Sequence, residues 1–185
     1  MPYRDEWDRA GKIPPELYVK AGKLGILSCL CGWPEDVCSA PRPKGYDGFF
    51  GLITMDELSR CGSGGIVWGL IGGFGIGIGP IIHAGSDEMK KNVAKPVIRG
   101  EKAICLAVSE PQAGSDVANL TTTAVEDGDY YVVNGIKKWI TVSICGFTLC
   151  SHTKRVVIGR IVCRLCGHRS ANGWCWNGRF IASLD

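Results

Sequence analysis

The chain has 185 residues, of which 45% are hydrophobic and 21% are charged, and its formal net charge is +3. This composition excludes a wholly disordered chain and suits one domain, or one domain and part of a second. The small net charge gives no reason to expect nucleic-acid binding. Charge is nevertheless uneven: residues 142–185 contain Asp185 as their only acid and carry +5, whereas residues 1–141 carry −2.

Ten cysteines would suit a disulfide framework in a small secreted protein. The first fifteen residues, however, contain charges and prolines but no apolar core of a secretory signal, and they do not resemble an Arg- and Ser-rich transit peptide. We therefore expect reduced, mostly structural cysteines in an intracellular protein. The sequence does not distinguish a cytoplasmic, mitochondrial or peroxisomal location. Half of the cysteines follow residue 141, namely Cys145, Cys150, Cys163, Cys166 and Cys175.

Proline and glycine positions predict helices joined by loops in the first hundred residues. Residues 13–16, Ile-Pro-Pro-Glu, are typical of a helix start, because proline is tolerated in the first turn. Gly22 and Gly25 are expected to end that helix. Residues 31–51 contain repeated Pro and Gly and predict a loop.

Two further helices are predicted from capping residues. Thr54 and Glu57 have the spacing of a capping box, which predicts a short helix ending at Arg60. Ser86 is a candidate cap for another helix, which Pro96 is expected to stop after Lys95.

Residues 64–82 are uncharged and rich in glycine, and two interpretations compete for them. Their length is close to that of a membrane span, and Gly65, Gly69, Gly73 and Gly77 have the small-residue spacing of packed transmembrane helices. Eight glycines in the first sixteen residues, however, add little transfer energy and lower helicity. We favour a buried helix. The run contains no strict dinucleotide-binding or phosphate-loop motif.

Beyond Gly100 the pattern changes to strands. Residues 103–108 are an apolar run, and residues 121–125 are β-branched. Residues 130–141 predict a hairpin with Asn134-Gly135 as a two-residue turn, since this dipeptide suits the positive φ angles of a type I′ turn.

The polar stretch Ser109–Asp116, SEPQAGSD, has two interpretations on its own. It could hold a ligand through hydroxyls and backbone N–H groups near Gly114, or it could be a solvated turn. Trp139 is similarly ambiguous, because it could be a core residue or a wall beside an aromatic cofactor.

Taken together, SEPQAGSD, the Thr-rich strand, Asn134-Gly135 and the segment Lys-Lys-Trp-Ile-Thr at 137–141 resemble the flavin-binding segment of acyl-CoA dehydrogenases. The similarity extends weakly back to residue 5. It implies an α+β fold, with a helical N-terminal domain over residues 1–102 and a truncated antiparallel β-domain that starts over residues 103–141.

The resemblance also implies chemistry. The cofactor would be FAD, the substrate an acyl-CoA oxidised at a CH–CH bond as in fatty acid metabolism, and the partner an electron acceptor. Members of the family are typically homo-oligomers, and membrane association is not expected. The implied flavin contacts are Leu106, Val108, Ser109, Gly114, Ser115, Trp139, Ile140 and Thr141, with Ser115 also contacting the CoA part of the substrate.

No catalytic residue and no metal ligand can be assigned. In the family the catalytic base is a glutamate of the C-terminal helical domain, and Glu110 does not match its position. Weak or absent FAD binding and no turnover are therefore expected of these 185 residues alone.

Residues 142–185 show no resemblance to the family, and two explanations compete. They could form a zinc module, although the ligand spacing is irregular, or they could come from an altered reading frame or a retained intervening sequence, which we favour. We expect this segment to leave the strand at 136–141 as an uncovered edge. The candidate zinc ligands are Cys145, Cys150, His152, Cys163, Cys166 and His168.

Overall fold

The structure is a computed structural model that describes residues 3–11, 13–38, 40–128, 130–141, 147–151, 156–159 and 175–183. The chain divides into two compact units, Met1–Ala103 and Ile104–Asp185. The first unit is helical and the second contains the strands, which confirms the predicted α+β class.

The first unit consists of short helices, several of which bury apolar residues in a core. Ile81, Val97 and Leu27 are almost completely buried in it. The helical elements are α1 (Arg4–Ala10), α2 (Pro15–Lys23), α3 (Ile26–Leu30), α4 (Gly48–Ser59), α5 (Gly64–Gly77), α6 (Gly79–Ala84), α7 (Asp87–Met89), a π-helical turn (Lys90–Ala94) and α8 (Lys95–Ile98). Of these, α1, α4 and α7 bury no residue.

Helix α2 begins as predicted, with Pro15 at its first position. Its end differs in part from the prediction. Gly25 follows the helix with a φ of 76°, but Gly22 lies inside it. A Cβ atom at Gly22 would overlap the backbone carbonyl of Arg99. Close approach of two backbones, rather than helix termination, explains this glycine.

Helix α4 begins earlier than the capping box predicted. Asp47 caps it, since its carboxylate accepts a hydrogen bond from the N–H of Phe49 at 2.9 Å. The Thr54 hydroxyl instead donates to the Phe50 carbonyl at 2.7 Å, inside the helix. The predicted cap at Thr54 is therefore wrong, and the predicted loop ends at residue 47 rather than 51.

The helix capped by Ser86 continues past Pro96, contrary to prediction. Ser86 is its cap, because its hydroxyl accepts from the N–H of Met89 at 3.2 Å. Pro96 lacks the N–H that an α-helix needs at that position. The π-helical turn Lys90–Ala94 just before it changes the hydrogen-bond spacing, and helical structure then runs to Ile98.

The glycine-rich run forms α5 and α6. Ser63 caps α5 by accepting from the N–H of Ile66 at 3.3 Å. The segment Gly64–Ala84 is long and apolar enough to cross a membrane, with a mean hydropathy of 1.8. Half of that window is buried inside the protein, and a single helix of this kind is weak evidence for a span.

The second unit contains two three-stranded sheets. In the described residues their orders are β1-β4-β5 and β2-β3-β6, and β1 pairs with β4 in parallel while the other pairs are antiparallel. A 3₁₀ turn spans Val117–Asn119. The strands are β1 (Ile104–Ala107), β2 (Thr123–Asp127), β3 (Tyr130–Lys138), β4 (Phe147–Ser151), β5 (Val156–Gly159) and β6 (Cys175–Ser183).

The predicted hairpin turn at Asn134-Gly135 is wrong, because both residues lie inside β3. The hairpin joins β2 to β3 instead. Asp127 pairs with Tyr130, and Gly128 has the positive φ, 62°, that a tight connection requires. A Cβ at Gly135 would overlap the side chain and backbone of Thr122, so this glycine permits a close approach within the sheet.

The prediction of an uncovered strand edge is also wrong. Strand β6 pairs with β3 over nine residues, and its partners include Ile136 and Lys138. A strand with unpaired N–H and C=O groups accepts any neighbouring extended segment. Residues Cys175–Ser183 satisfy that requirement.

Candidate functional site

The polar stretch after β1 is organised around the buried carboxylate of Glu110, which is 3% exposed. Oε2 accepts from Gln112 Nε2 at 2.7 Å and from the N–H and hydroxyl of Thr121 at 2.7 and 2.9 Å. Oε1 accepts from the N–H of Thr122 at 3.1 Å and from the Thr122 hydroxyl. Lys137 Nζ also donates to Oε1, at 2.8 Å. Six donors thus hold one carboxylate.

Lys137 is the charge partner, and it is only 2% exposed. Its ammonium group donates a second hydrogen bond to the Val108 carbonyl, at 2.8 Å. A lysine is almost never buried unless it is paired in this way. Burial by itself would raise the pKa of Glu110, but the hydrogen bonds from Lys137, Thr122 and Thr121 outweigh it and hold that pKa well below its ordinary value.

Backbone hydrogen bonds shape the loop around this pair. The Ser109 carbonyl accepts from the N–H of Lys138 at 2.9 Å. Glu110 and Ala113 exchange backbone hydrogen bonds at 2.8 and 3.2 Å, which closes a tight turn. Together with the Glu110–Lys137 pair, these bonds fix the loop after β1 against the end of β3.

Trp139 immediately follows β3 and has an unusual backbone. Its φ is 65°, a left-handed conformation that is a genuine outlier for a bulky residue. The side chain is 58% exposed, and Lys138 Nζ lies 4.5 Å from the centre of a Trp139 ring. A strained residue of this kind is often found at ligand sites.

The residues predicted to contact a cofactor fall into two stretches, 106–115 and 139–141, which the structure places beside each other. Ile140 is 8% exposed and packs with Cys105 and Ala107 of β1. Leu106, Val108, Ser109 and Thr141 are half-buried, whereas Gly114, Ser115 and Trp139 are exposed.

The arrangement has a clear chemical character. Ser109 and Thr141 carry hydroxyls and are half-buried residues, and they lie in the same two stretches as the exposed Trp139. Hydroxyl donors and an aromatic surface suit a planar heteroaromatic ligand with a polar edge. The buried Glu110–Lys137 pair joins the loop after β1 to β3. With every acceptor position of its carboxylate engaged, Glu110 is unsuited to act as a base.

Sequence reasoning missed this buried pair. The sequence pattern places Lys137 on a hairpin arm and Thr122 in a strand, and it identifies neither residue as a partner of Glu110. Two features of the sequence could have indicated this ion pair. Lys137 lies in a predicted strand whose alternation could direct its side chain into the protein, and Glu110 lies in a compact polar turn.

The predicted zinc ligands lie outside the described residues, except for Cys150, which lies in β4 opposite Ala107. Within the described part of the chain, no group of three or more His, Cys, Asp or Glu residues could hold a metal ion.

Comparison with known families agrees with this fold. The model of the acyl-CoA dehydrogenase N-terminal domain matches residues 1–101, and that of the acyl-CoA dehydrogenase middle domain matches residues 105–160. The chain belongs to the acyl-CoA dehydrogenase family. The middle-domain match runs past Thr141 to residue 160, so the change of composition at residue 142 lies inside it.

Individual relatives show the same family. The acyl-CoA dehydrogenase AFT10-1 of Alternaria alternata is 37% identical over 153 residues, which cover 76% of this chain and 34% of the relative. A crystal structure of a protein described as an acyl-CoA dehydrogenase from Mycobacterium smegmatis superposes with a TM-score of 0.82 at 29% identity. The match covers all of this chain and 52% of the Mycobacterium smegmatis chain.

A third comparison concerns the cofactor. The structure of an acyl-CoA dehydrogenase from Bacillus anthracis was solved in complex with FAD and shares the fold, with a TM-score of 0.71 at 23% identity. The match covers all of this chain and 33% of the Bacillus anthracis chain. The chain spans about a third of the length of the curated relative from Alternaria.

Proposed function

We propose that this chain supplies the flavin-contacting part of an FAD-dependent oxidoreductase that acts on the CH–CH group of an acyl thioester. Family membership supports the reaction class. The residues proposed to contact FAD are Leu106, Val108, Ser109, Gly114, Ser115, Trp139, Ile140 and Thr141.

One observation carries this proposal: the loop after β1 is fixed to the end of β3. The Ser109–Lys138 backbone bond and the buried Glu110–Lys137 pair bring together the two stretches that we propose contact FAD. A cofactor site requires such preorganisation, because its contacts must be in place before the ligand binds.

The side chains fit the cofactor. FAD accepts a hydride when it is bound, and negative charge then builds up at the edge of its ring. Hydroxyls of Ser109 and Thr141 would donate to that edge and stabilise the charge. The exposed Trp139 indole would pack beside the ring and exclude water. Ser115, exposed at the end of the loop, would contact the CoA part of the substrate.

We further propose that these 185 residues do not turn over acyl-CoA by themselves. Removal of the α-proton needs a base, and the family's base cannot be matched to a residue of this chain. Glu110 cannot replace it, since six donors occupy its carboxylate. An electron acceptor is the expected partner in the complete reaction.

The test is an FAD titration of the purified chain, followed by flavin fluorescence. We expect weak binding, and Trp139→Ala should reduce it further by at least about fivefold, because the stacking of the flavin ring on an aromatic side chain contributes roughly 1 kcal/mol or more. Trp68→Ala is the matched control, since Trp68 is also 58% exposed but lies in α5. If both variants bind FAD as the unmodified chain does, the proposed contact is wrong.

A second assay tests the absence of turnover. The FAD-loaded chain is mixed with short-, medium- and long-chain acyl-CoA substrates and an artificial electron acceptor. No reduction of the acceptor above the level of free FAD is expected. Sustained reduction would show that a base is present in these 185 residues.

A further inference from the structure

One edge of β3 is covered by a single strand, β6. On the other edge β2 pairs with the first five residues of β3, Tyr130–Asn134, whereas β6 pairs with all nine, Tyr130–Lys138. Within the part of the chain that the structure describes, residues 135–138 therefore have β6 as their only strand partner. The sheet order is β2-β3-β6, so β6 is itself held along one edge.

The residue types of the two strands match in this register. Val132–Val133 lies opposite Phe180–Ile181, so that apolar residues face apolar residues, and Gly135 lies opposite Gly178. A shift by one residue would move every side chain of β6 to the other face of the sheet and would separate the two glycines. The order of residues in β6 thus specifies one register on β3.

The connection to β6 is too long to impose this register. Fifteen residues, 160–174, lie between Gly159 at the end of β5 and Cys175 at the start of β6. A segment of that length can span up to about 50 Å, whereas a short hairpin turn fixes the register of its strands directly. The position of β6 must therefore come from its pairing with β3.

We propose that this edge of β3 is a strand-binding site, whose ligand is the segment Cys175–Ser183, and that the segment binds there without a covalent connection to the rest of the chain. The ligand is an extended peptide of nine residues with a glycine at its fourth position. In β-strand addition the backbone hydrogen bonds supply affinity and the order of side chains supplies specificity. The inference is independent of the proposed flavin chemistry.

Occupation of the strand-binding site also has a consequence for the buried ion pair. Lys137 lies in the part of β3 that pairs with β6 alone among the described strands, and it is 2% exposed. Without a bound segment, residues 135–138 lose their pairing with another strand, and their unpaired edge opens to solvent. The ammonium group of Lys137 should then become accessible to amine-reactive reagents.

The test uses the full chain with the recognition sequence of a specific protease inserted between residues 160 and 174. The cut and uncut forms are compared under reducing conditions by the fluorescence anisotropy of a labelled peptide of residues 175–183. The peptide should bind the cut form by exchange with the released segment. It should bind the uncut form at least about tenfold more weakly, because a tethered segment competes at a high effective concentration.

Two peptides with single prolines test whether binding uses strand pairing. Adjacent N–H groups of a strand point to opposite sides, so only one of Arg179 and Phe180 directs its N–H at β3. Proline removes that donor. The Arg179→Pro and Phe180→Pro peptides should therefore differ in affinity by about fivefold or more. A scrambled peptide of the same composition is the matched control, and it should not bind where the native peptide saturates.

Acetylation of Lys137, followed by mass spectrometry, provides a second readout. Its rate should be low in the uncut chain, higher in the cut chain after dilution, and low again when the peptide of residues 175–183 is added. The scrambled peptide should leave the higher rate unchanged. Lys138 is the reference within the same molecule, since it is already half-buried rather than buried.

The proposal is overturned by any of four results. These are no binding of the peptide to the cut chain, equal affinity for the cut and uncut forms, equal affinity of the two proline peptides, or binding of the scrambled peptide as strong as that of the native one. All four compare peptides on one protein, or two forms of one protein, so none depends on how well a substituted chain folds.

Discussion

Lys137 provides the sharpest test of how the site is held together. Lys137→Met keeps most of the side-chain volume but removes two hydrogen bonds, to Glu110 Oε1 and to the Val108 carbonyl, each 2.8 Å long. It also leaves a buried carboxylate without a charge partner. Breaking a buried pair in this way costs about 3–5 kcal/mol. That is a large fraction of the roughly 5–15 kcal/mol that stabilises a typical domain.

The assay is unfolding of the chain in urea at neutral pH, followed by circular dichroism. Lys138→Met is the matched control, because Lys138 is the next residue and its ammonium group lies over the Trp139 ring rather than in a buried ion pair. Loss of that contact should lower the free energy of unfolding by about 0.5–1 kcal/mol. The double variant Glu110→Gln/Lys137→Met should lose less stability than the sum of the two single variants, since it leaves no isolated charge. Equal costs for Lys137→Met and Lys138→Met would refute the reasoning.

Three further predictions follow from the same structure. Gly135→Ala should lower the free energy of unfolding by about 1–3 kcal/mol, because a Cβ there overlaps Thr122, whereas Gly114→Ala, with open space around it, should be nearly neutral in the same urea assay. Ser63→Ala removes the cap of α5 and should cost about 1 kcal/mol, measured by thermal unfolding. Because the folded pKa of Glu110 lies below its unfolded value, its ionised form stabilises the fold at neutral pH and loses this effect as the pH falls through the acid range. Glu110→Gln should therefore lose less stability on acidification than the unmodified chain.

The fold class could be predicted because the patterns that carry it are local. The proline at the start of α2, the cap at Ser86, and the apolar run of β1 all act within a few residues. Family resemblance supplied the α+β order of the domains. Helix ends were harder to predict from the sequence. Pro96 does not end its helix, because a π-helical turn just before it accommodates the proline, and residue types do not reveal that turn.

The strand errors have one physical cause. Asn134-Gly135 and Asp127-Gly128 are both favourable turn dipeptides, and local chemistry does not rank them. Packing decides between them, because Thr122 lies so close to residue 135 that only glycine fits. A turn glycine and a close-approach glycine are indistinguishable until the partner strand is known.

The candidate site could be predicted only in part, because some of its features depend on tertiary contacts. The motif residues Ser109, Ser115, Trp139 and Thr141 could be named from resemblance. The buried Glu110–Lys137 pair could not be predicted, because the two residues are 27 positions apart in the sequence and a Lys in a strand is usually solvated. Their pairing depends on the tertiary position of the loop after β1.

The central claim, that the loop after β1 and the end of β3 form one flavin-contacting edge, is tested most directly by NMR. ¹⁵N-labelled chain is titrated with FAD to concentrations that detect even weak binding. We expect chemical-shift changes at the backbone amides of Ser109, Ser115 and Thr141 and at the Trp139 indole, with the Trp68 indole unchanged. Unchanged signals at these four residues, or changes confined to the helical unit, would contradict it.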